Sequence, residues 1–177
     1  MCAAPVHDVT LRYELIASDR AQIEHAVTAT KFFREDEVPV AMELVDDRLA
    51  NKEESDYEFV VALRDGKVAG YACYGLIACS VHSYDLYWIV VAPEIQRGGI
   101  GRKLLAAVEE RVAAIGGKRV YAETSSKPLY EPTRKFYLSC GYKIDAVLEE
   151  FYAPEDSKVI FVKALAPAAT EAAKTAE

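Results

Sequence analysis

One stretch restricts the possible folds more than any other: Leu86-Tyr-Trp-Ile-Val-Val-Ala-Pro-Glu-Ile-Gln96-Arg97-Gly98-Gly99-Ile100-Gly101-Arg102. A β-branched and aromatic run leads into a glycine-rich turn, which opens directly onto an amphipathic helix. From Gly99 to about Ile115, the residues Ile100, Leu104, Leu105, Val108, Val112 and Ile115 mark one helical face, and Gly116-Gly117 stops it. Glycines let a backbone approach an anion closely, and the first N–H groups of a helix have no intrahelical partner. A strand, glycine turn and helix in this order make a pyrophosphate cradle. Hydrogen bonds to a charged group contribute roughly 1.5–3 kcal/mol each, and the helix dipole adds roughly 0.3–1 kcal/mol. Arg97, Arg102 and Lys103 supply local positive charge. The bland reading of the glycines alone is a connection with no ligand. Two other nucleotide signatures fail on spacing: no Walker-type Gly-Lys-Ser/Thr follows, and Leu104 stands where the third glycine of GxGxxG would be.

The rest of the composition narrows the field by exclusion. The formal charge is −7 over 177 residues, too little positive charge to bind a polyphosphate backbone through a general basic field. Nucleic-acid binding is disfavoured. The longest apolar stretch, Tyr71 to Cys79, falls far short of the roughly 20 residues needed to span a bilayer. No secretory signal opens the sequence, so the expectation is a cytoplasmic protein with no membrane partner. Cys2, Cys73, Cys79 and Cys140 form no CxxC, and His7, His25 and His82 are scattered with no HExxH. Reduced thiols and no metal are expected.

Along the chain, Val9, Leu11, Tyr13 and Leu15 alternate with polar residues and predict a half-buried strand from Val9 to Leu15. Ser18 or Asp19 caps a helix through about Thr30, and a second helix runs from about Glu37 to Leu49 with Pro39 in its first turn. A hairpin follows, from Tyr57 to Leu63 and from Lys67 to about Cys79, around Asp65-Gly66. A strand over Ser83–Val91 leads to the glycine turn. After the amphipathic helix come a strand from Arg119 to Thr124, a short helix between Pro132 and Gly141, and strands over about Tyr142–Tyr152 and Lys158–Leu165. Residues 9–165 read as one domain, and residues 166–177 as a fraying tail.

Gln96-x-x-Gly99-x-Gly101 resembles the Q/R-x-x-G-x-G/A signature of the GNAT family of N-acetyltransferases, in the right place between a strand and a helix. Phe136-Tyr137-x-x-x-Gly141-Tyr142 is similar to that family's second motif. The resemblance covers roughly Val9 to Leu165. It implies an α/β (α+β) GNAT fold: a mixed central sheet of about six to seven strands with flanking helices, in the order β-α-α-β-β-β-α-β-α-β-β. It further implies that acetyl-coenzyme A is the cosubstrate and that an amine is the acceptor. The backbone N–H groups of Arg97, Gly98, Gly99, Ile100, Gly101 and Arg102, with Gln96, would hold the pyrophosphate. Ile89, Val90 and Val91 would bond the pantetheine arm like an added strand, with Phe136 also on the coenzyme side.

An alkylamine of pKa about 10.4 is neutral only about one part in a thousand near neutral pH, so a base that removes its proton helps attack on a thioester. Asp85 ranks first for that base and Glu123 second. Asp85 begins the strand leading to the cradle, where histone-acetylating members of the family carry a glutamate. Strand parity groups it with Tyr87, Ile89 and Val91, opposite Leu86, Trp88 and Val90. A solvent-exposed strand-end carboxylate is the plainer reading of either residue. Tyr137 is the candidate donor to the departing sulfur, by hydrogen bond rather than full proton transfer; its plainer reading is a core tyrosine beside Phe136.

Tyr130 and Thr133 depart from the family pattern, where Asn and Ala are usual. Cys140 reads as packing. Tyr84, Tyr87, Tyr121 and Tyr130 are candidates for an acceptor pocket, although isolated aromatics are more often core. The acidic run from Asp46 to Glu58 suggests a cationic acceptor such as a polyamine, a lysine side chain or an aminoglycoside-like compound; a solvated face is the plainer reading. A homodimer is compatible with the sequence. The competing functional class is an acyl-coenzyme A sensor that binds without turnover.

Overall fold

A computed structural model describes residues 9–95 and 98–166. Cys2, His7 and the tail beyond residue 166 lie outside the described residues. The described elements follow one another as β1 (Val9–Arg12), α1 (Asp19–Thr30), α2 (Glu37–Asn51), β2 (Glu58–Arg64), β3 (Lys67–Leu76), β4 (Ser83–Val91), α3 (Ile100–Ala114), β5 (Arg119–Ser125), α4 (Glu131–Ser139), β6 (Lys143–Ala153) and β7 (Asp156–Ala164). This is the order expected from the sequence. The seven strands form one mixed sheet in the order β1-β2-β3-β4-β5-β7-β6. β4 and β5 run parallel, while β7 is antiparallel to both β5 and β6. The described residues fall into two compact units, one of residues 9–73 with 88–107 and the other of residues 74–87 with 108–166.

In the first unit, the β2–β3 hairpin turns on Asp65 and Gly66, with φ of 52° and 75°. Two consecutive left-handed residues match the twist of the flanking strands, which is why Asp-Gly suits this position. β1 pairs antiparallel with β2 from Val9↔Arg64 to Arg12↔Val61 and stops there, three residues before Leu15. The cause is Asp19, only 2% exposed. It accepts Arg12 Nη2 at 2.7 Å and the Ile16 N–H at 3.0 Å, folding the chain back before α1. Ser18 makes no capping bond, because its backbone is already helical.

α1 buries Ile23, Ala26 and Val27, and α2 buries Ala41, Met42 and Val45. Each set follows helical spacing and packs with Phe59, Val61, Tyr71, Cys73, Val90 and Ala92 into one core. Phe33 meets Trp88 edge-on at 4.8 Å. Strands β3 and β4 approach closely at Gly70, where a Cβ would lie 2.5 Å from the Val90 carbonyl oxygen.

In the second unit, α3 ends on Gly116, at φ +84°, and the Gly117 N–H reaches back to Val112 O at 2.8 Å. β5 pairs with β7 from Arg119↔Ala164 to Ser125↔Lys158. β7 begins at Asp156, two residues before the expected Lys158, because Asp156 is tied to the end of β5. The carboxylate accepts the Ser125 hydroxyl and pairs with Lys127 Nζ at 3.3 Å. α4 packs Tyr137 against Tyr142 and Phe161, at ring separations of 5.5 and 5.3 Å. Lys163 Nζ bridges Glu109 Oε2 at 2.6 Å and the Cys140 carbonyl at 2.9 Å. No described helix is long and apolar enough to cross a membrane.

Candidate active site

Helix α3 is held at its N-terminal end by Ile100, whose side chain is 2% exposed, and by the Lys103 N–H donating to Gly99 O at 2.9 Å. Gly99 adopts φ +68°, a conformation that side chains rarely tolerate. Gly98 lies outside that left-handed region, and a Cβ added at either glycine would meet, its chain neighbours aside, no atom of a described residue within 4 Å. Backbone here faces open space rather than neighbouring side chains. Such an opening beside the first amides of a fifteen-residue helix fits an approaching diphosphate. Gly101 is half-buried, and Arg102 and Lys103 are exposed. Gln96 and Arg97 lie outside the described residues. Ile89 and Val91 are half-buried and Val90 is buried, all in the same unit as the cradle.

Asp85, Glu123, Phe136 and Tyr137 belong to the other unit. β4 and β5 pair over Ser83–Leu86 and Arg119–Ala122, with Asp85 opposite Tyr121. By strand parity Glu123, two residues on, shares the side of Tyr121 and therefore of Asp85. The structure brings the two candidate carboxylates together. Burial raises the Asp85 pKa from its ordinary value, Glu123 raises it further, and Lys158 opposes them. Glu123 is instead an ion-pair partner, with its Oε2 2.6 Å from Lys158 Nζ.

Tyr137 is 4% exposed. Its ring lies 5.5 Å from that of half-buried Phe136, and burial, with a smaller contribution from Cys140, pushes its pKa well above that of an ordinary phenol. The other tyrosines divide. Tyr121 faces Asp85 across the ladder, and Tyr87 is 38% exposed. Tyr84 lies against Gly117, with its Cε2 2.8 Å from where a Cβ on that glycine would go. Cys140 is half-buried and takes part through its carbonyl.

Two residues near these groups carry no local sequence signal. Lys158 becomes visible only through the β5–β7 register, which no motif specifies. Arg134 of α4 donates through Nη1 to Ser125 O at 2.7 Å and Lys127 O at 3.0 Å, fixing the passage from β5 into α4. The acidic run also changes character. Arg20 holds Asp46 with bonds of 2.6 and 2.8 Å, Arg48 holds Glu58 at 3.2 Å, and Asp47 accepts Asn51 and Ser55. Among the described residues, no group of three or more His, Cys, Asp or Glu side chains is arranged to hold a metal ion.

Residues 22–142 match the model of the Acetyltransferase (GNAT) family. A solved Desulfovibrio desulfuricans protein, described as an acetyltransferase of the GNAT family, is 42% identical with a TM-score of 0.88, covering 90% of this chain and 100% of its own. The ribosomal-protein-S18-alanine N-acetyltransferase of Escherichia coli is similar at 20% identity and a TM-score of 0.72, over 91% of this chain and 96% of its own. A Salmonella typhimurium protein solved with acetyl-coenzyme A is similar at 18% identity and a TM-score of 0.70, over 92% of this chain and 96% of its own. The last two likenesses concern the fold. No curated protein matches the sequence.

Proposed function

The chain belongs to the GNAT acetyltransferase family, and on that premise we propose that it transfers an acetyl group from acetyl-coenzyme A to a primary amine. The observation carrying this reading is the opening at Gly98 and Gly99 beside the start of α3, where backbone rather than side chain would meet an incoming anion. The amides of Gly98 to Arg102, with Gln96 and Arg97, would hold the diphosphate, and Ile89, Val90 and Val91 would pair with the pantetheine arm. Phe136 would flank the coenzyme. When bound, the coenzyme supplies the activated thioester.

The protein's own part is to move one proton and steady one charge. Asp85 accepts the proton of the acceptor ammonium, directly or through a water. Its raised pKa makes it a stronger base than an exposed aspartate. Glu123 stays paired with Lys158 and supports Asp85 rather than replacing it. Tyr137 directs its O–H toward the departing sulfur. A phenol near pKa 10 is already a weaker acid than a thiol near about 8.5, and burial widens that gap, so the phenol donates a hydrogen bond and keeps its proton.

The test is release of free thiol from acetyl-coenzyme A in the presence of a panel of primary amines, with the acetylated amine identified by mass spectrometry. Amine-dependent release with one product per thiol is the expected result. Saturable coenzyme binding with no amine-dependent release across the panel would instead support a sensor that binds without turnover.

A further inference from the structure

Lys158 has surroundings unusual for a lysine. Its side chain is 14% exposed, although a lysine normally keeps its ammonium in water. The Nζ atom lies 2.6 Å from Glu123 Oε2, 3.9 Å from the centroid of the Phe151 ring and 5.6 Å from that of Tyr152. A carboxylate combined with aromatic faces is how proteins commonly hold an amine cation. Here the seat is filled by a residue of the chain itself. Lys158 pairs with Ser125 in the β5–β7 ladder, and by parity Ser125 shares its side with Glu123 and Tyr121, the partner of Asp85. The whole cluster lies within one unit. Asp85 makes no ion pair among the described residues, while Glu123 is paired with Lys158, so the formal charges of the three side chains sum to one negative charge.

We infer that Lys158 determines acceptor specificity by occupying the seat a second substrate ammonium would take, leaving Asp85 to receive a single one. The acceptors are then monocationic primary amines, and polyamines are disfavoured. The inference rests on the proposed reading of Asp85. Within the acidic run from Asp46 to Glu58, Asp46, Asp47 and Glu58 are engaged by Arg20, Asn51, Ser55 and Arg48, while Glu53, Glu54 and Asp56 are exposed.

The experiment compares kcat/KM for butylamine and diaminobutane in the wild type, Lys158→Met and Lys158→Arg. The wild type should favour butylamine. Lys158→Met should raise the diaminobutane-to-butylamine ratio about tenfold, because it removes a like charge and frees Glu123. Lys158→Arg keeps the charge and should keep the wild-type ratio. If Lys158→Met fails to fold, Lys158→Gln makes the same comparison. An unchanged ratio in the neutral variant, or a wild type that prefers the diamine, overturns the inference and leaves acetyl transfer standing. A wild type that releases thiol with neither these nor any other amine removes the functional reading itself, and is recognised by inactivity rather than by an altered ratio.

Discussion

With its ring enclosed by Phe136, Tyr142 and Phe161, the Tyr137 phenol ionises less readily than a phenol in water, so in the proposed mechanism it would offer a departing thiolate a hydrogen bond rather than its proton. Tyr137→Phe keeps the ring packing and removes only the hydroxyl. Turnover should fall at least about tenfold while coenzyme affinity stays within about twofold, measured by steady-state kinetics and calorimetry. Unchanged turnover removes Tyr137 from the mechanism. Asp85 carries a prediction with a definite sign. As the proposed base it would act only when ionised, and its folded pKa is raised. The acid limb of kcat/KM against pH should therefore lie above the ordinary aspartate value of about 3.9. The same shift means that the contribution of Asp85 to stability is fully present below its unfolded pKa, where it is protonated, and is lost as pH rises through its folded pKa. Asp85→Asn should melt no lower than wild type at pH 7 while losing most of its activity. A clear fall in melting temperature would make Asp85 a structural residue instead.

Individual elements were the most legible part of the sequence. The spacing of Ile100, Leu104, Leu105, Val108 and Val112 specifies α3, and all five are buried, whereas Ile115, expected on the same face, lies past the end of the helix and is 64% exposed. Boundaries moved where a distant partner intervened: Asp19 shortened β1 by drawing in Arg12 and Ile16, and Asp156 began β7 early by binding Ser125. Neither effect has a local pattern, because each depends on which segments become neighbours. For the same reason Asp85 and Glu123 were readable as separate candidates, while the Lys158 that distinguishes them was not. Gly117 tests the α3–β5 connection. A Cβ there would run into the Val112 side chain and lie 2.8 Å from Tyr84 Cε2. Gly117→Ala should cost roughly 1–3 kcal/mol of stability, read as a lower urea midpoint. A variant as stable as wild type would show that this connection yields easily.

Across the molecule, a net charge of −7 coexists with a proposed anion site, because donors fixed in one turn act locally while the surrounding field is diffuse. Element order could be read along the chain, but the insertion of β7 between β5 and β6 could not, since strand neighbours depend on closure of the whole sheet. Match to the GNAT family over residues 22–142 fixes the general chemistry, and the coenzyme reading depends on the backbone at the start of α3. Gly98 provides the sharpest probe of that backbone. Its φ lies outside the left-handed region and a Cβ there meets, its chain neighbours aside, no atom of a described residue within 4 Å, so the described residues do not require glycine at this position. Calorimetric titration of wild type and Gly98→Val with acetyl-coenzyme A is the decisive measurement. One-to-one binding that weakens about a hundredfold in the variant, with equal melting temperatures in the free proteins, is the predicted result; equal affinity in both would contradict the cradle and the account built on it.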